Sequence, residues 1–152
     1  MPTTNANLAK KAVIDALKAA TVPAGLLDGV DVDYAFNGNA AALSVYGGGW
    51  RFEQADAVAE GPGILVAELV SVSLYVRAKQ GPPSVDVEET DGQADDVLTA
   101  IGRVFKAAPK LAGPLTVVGV ASGQGDYSRT DDETISIQAL QVQVRSQLTW
   151  GP

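Results

Sequence analysis

Between Val66 and Arg77 the chain sets branched apolar residues at Val66, Val70, Val72, Leu74 and Val76, and puts Ser71, Ser73, Tyr75 and Arg77 on the other parity. A period of two over this length marks a β-strand with unlike faces, because successive side chains point to opposite sides of a sheet. The apolar face has to be covered. The other face is polar yet nearly free of Lys and Glu, which a surface meant only for water usually carries.

The chain offers two helices as the cover. Leu8, Ala12, Val13, Ala16, Leu17 and Ala20 recur at helical spacing and predict an amphipathic helix over 8–20, with Asn5 or Asn7 as its cap and Pro23 and Gly25 as its stop. Val97, Leu98, Ile101, Val104, Phe105 and Ala108 form the cleaner stripe. Thr90 and Gln93 have capping-box spacing and Pro109 ends the pattern, so a second helix is predicted over 93–108, packed on the apolar face of the long strand.

The remaining segments read as strands and turns. Val30, Val32, Tyr34 and Phe36 alternate with Asp31, Asp33 and Ala35 and predict a strand, followed by a hairpin at Asn37, Gly38 and Asn39 and a short strand over 42–46 that ends at Gly47, Gly48 and Gly49. Residues 50–62 hold no sustained period and read as an excursion with a short strand over 50–54. Gln80 to Ser84, with Pro82 and Pro83, is an exposed tip, and residues 122–127 form a polar loop after a buried strand over 115–120. In the last strand, 134–148, Ile135 and Ile137 are odd-numbered whereas Leu140, Val142, Val144 and Leu148 are even-numbered. A bulge near Gln138 or Ala139 is predicted to restore one buried face. The fold class is α+β, a mostly antiparallel β-sheet with two main helices packed on one face, in a single domain over 1–152.

Composition removes most chemistry. There is no Cys and no His among 152 residues, which excludes disulfides, thiolate nucleophiles and the commonest general base and metal ligand. No catalytic, cofactor-binding or metal-binding residue is assigned. Asp31 and Asp33 share a strand face but lack a third oxygen ligand nearby, so a solvated face is preferred to a Ca²⁺ site. The glycines at 47–49 lack the Lys and the following helix of a phosphate cradle. A net charge of -7 disfavours a grip on nucleic-acid phosphates. No apolar run approaches the length of a membrane span, so a soluble, intracellular protein is expected.

What is left is surface. Ser71, Ser73, Tyr75 and Arg77 on one long strand and Gln141, Gln143, Arg145 and Gln147 on the other are candidates for a subunit interface, with a solvated sheet face as the competing reading. Trp50 and Trp150 are either interface anchors or lids on the core rim. Trp50, Arg51, Pro82 and Pro83 are candidates for loops that touch a partner.

The element order resembles the tail terminator family of long-tailed bacteriophages, also described as minor tail or tail completion proteins. The matching residues are Val32 to Gly38 after the first helix, Val45-Tyr46-Gly47, Glu68 before the long strand, the Asp-rich start of the second helix and the Gln-rich terminal strand. Phe36 and Asn37 stand where the Tyr-Ala-Trp-Pro-Gly form of the family has Trp and Pro. The likeness covers nearly the whole chain and rests on pattern and order, with no catalytic signature. It implies a non-enzymatic virion protein, assembled in the host cytoplasm, that forms a homo-hexameric ring at the head-proximal end of the tail. Such a ring ends polymerisation of the tail tube protein and joins the tail to the head-tail connector protein. DNA passes through its lumen without specific binding, and an acidic lumen suits that passage by repelling phosphates. No cofactor and no membrane are implied. The alternatives are a head-tail connector or head completion protein, and a monomeric ligand-binding domain with 50–62 as a flap.

Overall fold

In the computed structural model, which describes residues 4–36, 38, 41–54, 58–60, 63–81, 86–129 and 133–150, the elements run in the order α1 (Ala6–Ala19), β1 (Asp31–Asp33), β2 (Leu43–Gln54), β3 (Val58–Glu60), β4 (Gly63–Gln80), α2 (Val87–Ala107), β5 (Thr116–Arg129) and β6 (Thr134–Trp150). They form one sheet in the order β1-β2-β4-β6-β5, with β3 paired to the start of β4. All pairings are antiparallel except β1 with β2. The expected long strand is thus the centre of the sheet. It is longer than its apolar run suggests: 18 residues, roughly 60 Å at about 3.3 Å per residue.

Alternation decides which face is covered. Val70 lies opposite Val144, Val72 opposite Val142 and Leu74 opposite Leu140, and all six are buried in one core cluster with Val13, Leu17, Ala94, Val97, Ile101 and Phe105 from the two helices. Both helices therefore sit on the even-numbered face of β4 and β6, and the odd-numbered face is open.

The predicted bulge in β6 is absent. Its pairing with β4 is unbroken from Gln80↔Thr134 to Ile64↔Trp150. The apolar parity switches because the covering layer switches. Thr134, Ser136 and Gln138 lie under the polar first turns of α2, where Gln138 Nε2 donates to Asp95 at 2.9 Å. Ile135 and Ile137 fall on the open face, half-buried, opposite Lys79 and Arg77.

Four other expectations are corrected. α2 begins at Val87, six residues early, because Asp86 caps it, its Oδ1 accepting from the backbone of Glu88 at 3.0 Å and Glu89 at 3.4 Å. Thr90 is inside the helix and buried, its hydroxyl 2.7 Å from the Asp86 carbonyl oxygen. β1 runs parallel to β2, Val32 opposite Val45, so no hairpin joins them; Asn37 and Asn39 lie outside the described residues. Parallel pairing lets Tyr34 and Phe36 leave the ladder, one toward Lys10 of α1 and the other onto Tyr46.

The glycines at 47–49 do not end β2. They are a bulge, with pairing to β4 resuming at Trp50↔Val72. A Cβ at Gly47 would run into the Tyr34 carbonyl oxygen and the Lys10 side chain, and one at Gly48 into the Tyr75 ring. Backbone closeness is the reason for glycine there. β5 likewise absorbs the polar segment 122–127, with register shifts between Val117 and Gly119 and between Ser122 and Gly125.

The two layers are pinned by one carboxylate. Asn5 precedes α1 but makes no side-chain cap. Glu68 of β4, only 2% exposed, takes that role. Its Oε1 accepts from Asn5 N at 2.8 Å and from Ser146 Oγ at 3.3 Å, and its Oε2 accepts from Gln54 Nε2 at 2.8 Å. Negative charge at a helix N-terminus is favourable, and three donors offset its burial. Glu68→Ala leaves those donors unmet and is expected to cost about 2–4 kcal/mol in urea unfolding, with Glu68→Gln costing less.

Candidate assembly surface

The open face is built row by row from the strand register. Ser71 lies opposite Gln143 and Ser73 opposite Gln141, and Leu69 and Ala67 lie opposite Arg145 and Gln147. On the other side of β4, Ser44, Tyr46 and Arg51 of β2 face Arg77, Tyr75 and Ser71. The eight residues expected at an interface therefore share one side of two adjacent strands. Ser71, Ser73, Gln141 and Gln143 are half-buried, and Arg145 and Gln147 are exposed.

Tyr75 is half-buried and Arg77 is buried, 8% exposed, because rings cover them. The Tyr75 ring stacks on Tyr46 with centroids 5.3 Å apart, and Tyr46 packs against Phe36 at 5.2 Å. The Arg77 guanidinium carbon lies 5.5 Å from the centre of the Phe36 ring, within cation-π range. Phe36, 59% exposed, and Tyr46 are the members that sequence reasoning missed. Tyr46 shares the outward parity of Ser44 and was legible in principle. Phe36 comes from the connection after β1, and no periodicity signals where a connection will lay a ring down.

Trp50 and Arg51 do not form a loop, and their side chains lie on opposite sides of the sheet. Both are within β2, and consecutive strand residues point to opposite sides. Arg51 belongs to the open face. Trp50 is on the helix side, where the Lys10 ammonium lies 5.7 Å from its ring and 4.0 Å from that of Tyr34. Burial holds the Lys10 pKa below the ordinary lysine value. Pro82 and Pro83, and the side chain of Trp150, lie outside the described residues.

Among the described residues, no three acidic side chains converge as a metal site, and no helix is long and apolar enough to cross a membrane. Asp31 is exposed and Asp33 half-buried on β1. Asp131 and Asp132 lie outside the described residues, while Glu133 pairs with Lys79 at 3.2 Å.

No protein-family model matches the sequence, and no curated protein matches it. Solved structures do. One is a chain of the "Virion of native gene transfer agent (GTA) particle", 17% identical, with a TM-score of 0.52 over 95% of this chain and 100% of that one. The protein shares its fold with a virion component. The match extends over nearly the whole of both chains.

Burial raises the Tyr46 phenol above its ordinary pKa, Arg77 opposes the shift and Tyr75 adds to it. The folded state thus holds this proton more tightly than the unfolded state. Its contribution to stability is present below the ordinary phenol value and is lost as pH climbs from there through the raised one. Alkaline spectrophotometric titration is expected to show a late-ionising phenol that Tyr46→Phe removes.

Proposed function

We propose that this chain is a structural virion protein of the tail-terminator kind. It forms a hexameric ring on the head-proximal end of a tail tube, ends polymerisation of the tube and joins the tail to the head connector. The observation that carries this reading is the end-to-end likeness of fold to a virion component, joined to a sheet face of Ser, Gln, Tyr and Arg left uncovered by its own helices. Nothing in the chain has to react. A contact repeated around an axis closes a ring, and the ring's two ends present different surfaces to tube and connector.

Charge supports the same reading. Asp86, Glu88, Glu89, Asp91, Asp95 and Asp96 fall within eleven consecutive residues with no Lys or Arg among them. A surface of one sign turned to the lumen keeps DNA phosphates at a distance and lets the strand slide.

Particles assembled without this protein decide the role by electron microscopy. Overlong tails are expected. Normal-length tails detached from filled heads would make it a connector instead. Within the protein, Ser73→Glu places a carboxylate in the middle of the open face. It is expected to abolish assembly, because an unpaired charge in a closed contact costs several kcal/mol. The urea midpoint should move by less than about 0.5 kcal/mol equivalent, as for other surface changes. Assembly at the wild-type level would make this face a wetted surface.

A further inference from the structure

We propose that Trp50 and Phe52 form a knob that seats in the cleft between α2 and β5 of a second copy of this chain, joining neighbouring subunits side by side. The proposal rests on the ring reading above and adds an edge contact to the one that the open sheet face makes in such a ring.

The knob is an exposed aromatic pair on an open edge. Trp50 is 40% and Phe52 46% exposed. Two apart on one strand, they point the same way, and their partners Val72 and Val70 show that this is the helix side. Along this half of β2 no described strand pairs on the outer edge, because β1 pairs only as far as Tyr46. Trp is the residue type most often found to dominate binding at protein contacts.

The socket is at the opposite edge of the sheet, on the same side. A cleft of about 320 Å³ is lined by Gly102, Phe105 and Pro109 below α2 and by Val117, Val118 and Val120 of β5. Lys106 stands at its lining too, an ammonium of the kind an indole ring accepts. Val118 is 44% exposed. At Gly102 an added Cβ would meet nothing within 4 Å, so the absence of a side chain there leaves space in the cleft.

Knob and socket stand at one height. Trp50 pairs with Val72, Val72 with Val142, and Val142 with Val120. Phe52 pairs with Val70, Val70 with Val144, and Val144 with Val117. Each ring is therefore in the same row of the sheet as a residue lining the cleft. A second copy set edge to edge brings the knob of one to the socket of the next at the same row of the sheet. A patch and a complementary pocket at opposite edges make a heterologous contact, the kind that closes rings. The open polar face is untouched by this contact.

Sedimentation over a wide concentration range tests it. Trp50→Ser removes the knob, and Gly102→Trp fills the socket. Each is expected to weaken self-association at least about 30-fold, the loss typical of a hot-spot side chain. Gly102→Trp replaces a helical glycine where the space is open, so its urea midpoint should be at or above that of the wild type. If the wild type forms rings and both variants form them equally well, the knob-and-socket contact is wrong and the ring stands. A wild type that is monomeric at every concentration overturns both.

Discussion

The pairing of β4 with β6 is the constraint on which everything else in this protein depends. Its rows run unbroken from Gln80↔Thr134 to Ile64↔Trp150, and a slip of one residue would turn every core valine to the open side. That single register fixes which face the helices cover. It also brings Ser71 and Ser73 beside Gln143 and Gln141, sets the height of Trp50 against Val120, and puts Ser146 within reach of Glu68.

Much of this was legible from residues. Val70, Val72, Leu74 and Val76 identified the central strand and its covered face, and the stripe Val97, Ile101, Phe105 identified the helix that lies on it. The failures have physical causes. The start of α2 is six residues before the one that the capping-box spacing of Thr90 and Gln93 predicts, because a single aspartate at 86 satisfies the orphan amides of Glu88 and Glu89. The glycines at 47–49 and the Gly-containing segment 122–127 read as strand ends. A glycine in a strand can equally mean a bulge or a neighbour close to the backbone, and only the three-dimensional surroundings of Lys10, Tyr34 and Tyr75 show which. The parity switch in β6 suggests a backbone bulge, but with pairing unbroken it reports the polarity of the helix above.

The proposed assembly surface was equally divided. The eight polar residues were visible as two parities on two strands, and the register joins them. The aromatic packing of Phe36, Tyr46 and Tyr75 was not visible, because it links a connection to two strands distant in sequence. The molecule thus separates its surfaces by chemistry: Ser, Gln and Arg with a ring cluster on the open sheet, apolar knob and cleft at the edges of the helix side, and carboxylates on the first turns of α2.

Glu68 has a further consequence for how the chain is made. The amide that it caps belongs to Asn5, and Asn5 Nδ2 also donates to the Gln147 carbonyl oxygen at 3.3 Å. During synthesis the first helix is ready long before its anchors, which lie 63 and 142 residues further along the chain. Contacts so far apart in sequence make for slow folding. They also act as a quality gate: a chain lacking β6 has neither a seated α1 nor a finished sheet, so the fold closes only once that strand is in place.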